Sequence, residues 1–171
     1  MIEPTTTIAV LEDSFDRIRE LVESVCTGLD LERATFRIDP GANTPAWLVW
    51  HLSRVQDDHL AELAGRPQAW LRWRDRFDLP FGPEATGYGH SADDVAAVRA
   101  HGELLAAYHA DVHDLTLEYV RSLETAELDR VVDDSWDPPV TASVRLVSVV
   151  GDCLQHLGQA EFILGVADRR R

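Results

Sequence analysis

Lysine is missing from this sequence: all sixteen basic residues are arginine. That absence excludes Schiff-base catalysis and a phosphate-binding P-loop together, since both need a lysine amine. Basic clusters are equally scarce. Only Arg169-Arg170-Arg171 forms one, and a formal net charge of −14 repels phosphate backbones, so nucleic acid is not expected as a partner. Cysteine is nearly absent too. Cys26 and Cys153 form no CxxC pair and sit in helix-like apolar patterns, which excludes a disulfide scaffold and a thiolate zinc site and makes both small buried hydrophobes. No apolar run reaches the roughly 18 residues a membrane span needs, and no basic leader opens the chain. A soluble, cytoplasmic protein without membrane contact is expected. Glu-x-x-His, HExxH, GxSxG and a glycine-rich phosphate loop are all lacking, which closes the di-iron carboxylate, zinc-protease, serine-hydrolase and nucleotide-binding classes.

What is present, 171 residues with 45% hydrophobic and 27% charged, suits one globular domain over residues 1–171 with a real core. Leu11, Phe15, Ile18, Val22 and Val25 alternate by four and three up to the breaker Gly28, a first helix. Thr44 is a good N-cap, Pro45 a good first residue and Gly65 a good stop, which predicts a second helix over Pro45–Ala64. A long third helix is expected from Ser91, with its seam at Val98, Leu105, Tyr108, Val112, Leu115 and Tyr119. Pro138-Pro139 interrupts the chain before Thr141 caps a fourth helix reaching about Ala167. With no convincing strand, the fold class is all-α, a four-helix bundle with a long connection between helices two and three.

Two polar residues of the fourth helix are out of place. On a helical wheel centred on Val149, Asp152 falls at about −60° and His156 at about −20°, both on the apolar side. An inward carboxylate costs several kcal/mol unless paired or ligating, and the i, i+4 spacing lets both side chains reach one point. A hydrogen bond fixing the helix in register would explain the pair alone. His51, among Trp47, Leu48, Leu52 and Val55 on the second helix, adds another inward imidazole. Together the three make an N/N/O set of the kind a bundle uses to hold a divalent metal with open positions.

Other polar residues compete for attention. His109 and His113 share the four-residue spacing but flank the third seam, and a solvated face is expected for them. His101 falls on the seam as a core or pocket histidine. Asp58 follows His51 on the same side and would either orient an imidazole or face solvent. The connection from Arg66 to His90 is long for a bundle loop and rich in aromatic and arginine residues. It would plug a bundle end or a dimer contact, or else wall a ligand pocket, with Trp70, Trp73 and Arg74 the cofactor-binding candidates.

TPAWLVWHL and VTASVRLVSVVGDCLQHLGQAEFILG, with its D-x-x-x-H-x-G-Q segment, resemble the DinB-like superfamily of metal-binding four-helix bundles. The resemblance covers nearly the whole chain. Many members carry a histidine on helix two and an HxxxH pair on helix four; here Asp152 replaces the first of that pair, as in the branch resembling mycothiol-dependent enzymes. The resemblance implies metal ligands at His51, Asp152 and His156, which would act in catalysis through the metal. It implies a transferase that activates a low-molecular-weight thiol, mycothiol, for attack on an electrophilic small molecule in detoxification. Zn²⁺ is the metal expected, Asp58 or His101 the candidates for proton transfer, and a homodimer the expected assembly. A mycothiol-dependent isomerase, a non-haem iron oxygenase and a non-enzymatic metal-binding stress-response protein are the alternatives.

Overall fold

The computed structural model describes residues 6–170; residues 1–5, where no leader is expected, and Arg171 of the arginine run lie outside them. Helix α1 spans Thr7–Cys26, the single-turn α2 Leu31–Ala34 and α3 Pro45–Ala64. Helices α4 (Trp70–Phe77) and α5 (Ala92–Ala97) follow, then α6 (Gly102–Ser122). A 3₁₀ turn at Thr125–Asp129, a hairpin of β1 (Val131–Asp133) and β2 (Val140–Thr141), and α7 (Ala142–Arg169) complete the order. The long helices α1, α3, α6 and α7 form the bundle expected, each packing on two others in the cyclic order α1, α6, α3, α7. No helix among the described residues is long and apolar enough to cross a membrane.

The helix boundaries follow from local chemistry. Thr44 Oγ1 accepts the backbone N–H of Trp47, Pro45 opens α3, and Gly65 closes it in the left-handed conformation at φ +63°. Thr141 caps α7 as expected. The α1 seam Leu11, Phe15, Ile18, Val22 and Val25 is buried throughout, and both cysteines are free and buried.

Three sequence expectations need correction. The third helix is two helices, broken at residues 98–101, because α6 restarts where Gly102 docks on the end of α1. A Cβ there would stand 2.1 Å from the Cys26 carbonyl oxygen, while the Gly102 N–H bonds the Leu29 carbonyl at 2.9 Å. That break carries His101 off the seam and leaves it exposed at the head of α6. A strand pair exists after all: Val131 pairs antiparallel with Thr141, in segments too short to show alternation.

The third correction concerns His109 and His113, which are each 1% exposed instead of solvated. Helix α6 is wedged between α1 and α3, so the flank of its seam is covered as well. His109 Nε2 donates to Gln56 Oε1 at 3.3 Å, and the Gln56 amide donates to Thr116 at 2.9 Å. His113 Nε2 lies 3.1 Å from Asp16 of α1.

Burial pushes the His109 imidazole down to about 3 from its ordinary 6.5. The unfolded chain therefore binds a proton below pH 6.5 that the folded chain refuses, and stability falls as pH drops from about 6.5 toward 3. A His109→Gln protein should lose one proton's share of that slope, up to about 1.4 kcal/mol per pH unit, as read from urea unfolding across pH 4–7.

Candidate metal centre

His51 sits in the second turn of α3, Asp152 and His156 one turn apart in the middle of α7, and these two helices pack against each other. One ligand atom from each residue lies within 4.8 Å of the other two. The imidazole rings of His51 and His156 meet edge to face, with centroids 4.9 Å apart. The three residues expected from the sequence are thus brought together, His51 buried and the other two at the rim.

The proton positions on both rings follow from their partners. His51 Nδ1 lies 2.5 Å from the carbonyl oxygen of Thr86, which can only accept, so Nδ1 carries the hydrogen and Nε2 the lone pair. His156 Nδ1 donates to Gln159 Oε1 at 3.0 Å, leaving its Nε2 as the free donor, 3.5 Å from Asp152 Oδ1. Asp152 Oδ2 is buried without a hydrogen-bond partner. Two imidazoles and a carboxylate with one unpartnered oxygen therefore converge. A divalent cation fits this donor set, and outer hydrogen bonds of this kind are what orient metal-binding histidines.

The electrostatics of the three are split. Burial lowers the pKa of His51, against the upward pull of the Thr86 bond. Bonding to Asp152 raises that of His156, against burial. His51 therefore favours its neutral, ligating form, whereas His156 holds a proton against Asp152 until a stronger cation replaces it.

Several residues of the centre were not anticipated from the sequence. Trp47 stacks on His51 with centroids 4.6 Å apart and planes 17° from parallel, and its indole N–H donates to His90 Nδ1 at 3.2 Å. Tyr88 meets the His51 ring edge-on at 5.2 Å. Thr86 to His90 thus form a wall over the histidine. The glycines of TGYGH were the available signal, since Gly87 (φ +107°) and Gly89 (φ +73°) both turn the chain in the left-handed region.

Of the cofactor candidates, Trp70 is buried against Trp50, Phe77 and Tyr108, Trp73 donates its indole N–H to Asp111 at 2.7 Å, and Arg74 is exposed beside Asp75. Asp58 does not orient His51; it accepts from Gln68 at 2.7 Å, and the Thr86 carbonyl takes the orienting role.

Helix order and the packing of α1, α3, α6 and α7 define a DinB-like helical bundle. Residues 10–168 match the family model described as mycothiol-S-transferase, and the chain belongs to that family. The fold is similar to the crystal structure of a conserved protein from Enterococcus faecalis, with a TM-score of 0.87 and 29% identity over 94% of this chain and 96% of that one. No curated protein matches the chain significantly.

A Cβ at Gly87 would stand 2.6 Å from His51 Nδ1 and 3.1 Å from Trp47. Gly87→Ala should therefore displace the imidazole and break its bond to Thr86. The expected result is a loss of about 1–3 kcal/mol in stability, with disappearance of the hydrogen-bonded His51 Nδ1 proton from the NMR spectrum.

Proposed function

We propose that the protein is a metal-dependent S-transferase that joins a low-molecular-weight thiol, mycothiol, to an electrophilic small molecule, a detoxification reaction. The observation carrying this reading is the convergence of two imidazoles and an unpartnered carboxylate oxygen at the junction of α3 and α7. Family membership supports the choice of thiol. The N/N/O donor set supports Zn²⁺ and leaves coordination room for a donor from outside the protein.

Held by His51, Asp152 and His156, the cation supplies the charge that keeps a thiol, whose ordinary pKa is about 8.5, as the nucleophilic thiolate at neutral pH. The chain's own residues do the positioning. Thr86 and Gln159 stop the imidazoles from swinging away by holding their Nδ1–H groups. Trp47 covers one face of His51 and excludes water from it. Asp152 contributes the negative charge that offsets part of the cation's.

Loss of a model electrophile should need both mycothiol and metal, and a chelator should abolish it. Replacing partners of metal ligands typically costs about 10- to 100-fold, so removal of a ligand in Asp152→Ala should cost at least about 100-fold in kcat/KM while helix content is kept. An Asp152→Ala protein with full rate overturns the proposal. A large chelator effect on thermal stability without thiol-dependent turnover assigns the metal a structural role instead.

A further inference from the structure

Helix α7 carries three interior glycines at a spacing of seven, Gly151, Gly158 and Gly165. That spacing drifts only about 20° per repeat, so the three lie along one line of the helix. Glycine weakens a helix interior relative to alanine, and the packing of this chain gives no reason for it here. A Cβ at Gly151 or Gly158 would meet nothing within 4 Å, and one at Gly165 only the flexible end of Arg169 at 3.4 Å. At Gly87 and Gly102, by contrast, a Cβ would strike the fold itself. The glycine line is flanked by Val144, Val147, Leu154 and Phe162, which fall within a sector of about 80°. These four are large apolar side chains between 42% and 66% exposed.

Charge is missing from the same face. No exposed residue of α7 between Ala142 and Ala160 is charged, whereas α1 exposes Asp13, Arg17, Glu20 and Glu23, and α6 exposes Glu103, Asp114, Glu118 and Arg121. Two copies of a chain with net charge −14 repel each other, and this face is where they can meet without desolvating like charges. Apolar exposure together with missing charge is the composition of an interface core. The charges at the two ends of the helix fix the direction of pairing. Arg169 and Arg170 are exposed at its C-terminal end, and Asp134 and Asp137 are exposed in the turn between β1 and β2, just before its N-terminal end. Antiparallel helices bring the arginine end of each copy to the aspartate end of the other. Parallel helices set arginine against arginine and Glu161 against Glu161.

We propose that the outer face of α7 is the surface by which two copies of this chain pair, antiparallel about a twofold axis between Leu154 and Gln155. The register follows from the glycines. Gly151 of each copy faces Gly158 of the other, so the backbones approach closely at the axis, and Val147 then faces Phe162 while Val144 faces Gly165. The face is complementary to itself, as a twofold interface requires. From Val144 to Gly165 it is about 30 Å long and about 10 Å wide. Paired, it buries on the order of 1,000 Å² over both copies, the lower limit for a specific interface. The dimer should therefore be reversible, with a Kd on the order of 10 μM. The pairing is independent of the thiol-transfer reading.

The test is sedimentation equilibrium of the full-length protein from about 1 μM to about 1 mM, which should show a monomer–dimer equilibrium. Leu154→Glu should raise the Kd by at least about 100-fold, because it desolvates a charge at the axis. Gly158→Ala, whose added methyl group has open space within the chain, should raise the Kd about tenfold while the thermal midpoint of the dilute monomer stays the same or rises. Copies carrying Val147→Cys should form disulfide-linked dimers under mild oxidation only when mixed with copies carrying Phe162→Cys, since like positions lie too far apart in this register and both native cysteines are buried. A chain that is monomeric at about 1 mM overturns the proposal, and its adsorption to phosphatidylcholine vesicles assigns the face to a lipid surface instead. A dimer whose Kd is indifferent to Leu154→Glu and Gly158→Ala overturns it as well. Cross-links between two Val147→Cys copies overturn the antiparallel register. If Leu154→Glu fails to fold, Gly158→Ala and the cross-links decide.

Discussion

The buried carboxylate of Asp57 is the fastening on which the candidate metal centre depends. It accepts the backbone N–H groups of Ala69 and Trp70 at 2.8 and 2.7 Å and the Tyr108 hydroxyl at 2.9 Å, and it pairs with Arg54 at 3.4 Å. A carboxylate this deep is tolerated only because so many donors meet it; burial still pulls its pKa up while those donors pull it down. Arg54 carries the tie onward by donating to the Ala85 carbonyl at 3.0 Å and to Gln68 at 2.8 Å. Both ends of the connection between α3 and α5 are therefore bound to one turn of α3. Ala85 directly precedes Thr86, so the residue that orients His51 is set in place by side chains a single helical turn away from it.

Spacing alone does not decide what a pair of polar residues one turn apart becomes. Asp152 and His156 lie where α7 meets α3 at a partly open rim, with side chains 23% and 17% exposed, and they face a third donor across the interface. His109 and His113 lie deeper, where α6 is enclosed by its neighbours, and each meets a partner of its own: Gln56 for one, Asp16 for the other. The first arrangement brings three side chains to one point and the second does not. The first is the arrangement that could hold a cation.

The bundle was legible because its long helices carry regular seams and conventional caps: Thr44, Pro45 and Gly65 bound α3 where expected, and Thr141 starts α7. Asp152, His156 and His51 were legible because each contradicts the apolar face on which it sits. The rest depended on tertiary packing, which periodicity does not record. The break before Gly102 arises from contact with the Cys26 carbonyl, and the burial of His109 and His113 from the position of α6 between two helices. Trp70 read as a ligand candidate from its aromatic and arginine-rich neighbourhood, yet the same apolar surface that suits a ligand also suits the core.

The bond that orients His51 ends on a main-chain oxygen, and this has an evolutionary consequence. Every residue type at position 86 supplies a carbonyl, so the side chain there is free to drift without releasing the imidazole. Selection to keep the histidine aimed falls instead on its neighbours: on Gly87, where any side chain would strike the ring, and on Arg54, which pins the strand of chain that delivers the oxygen. The most exacting part of the site is thus written in residues outside the trio His51, Asp152 and His156, and changes there would retune it while leaving those three intact.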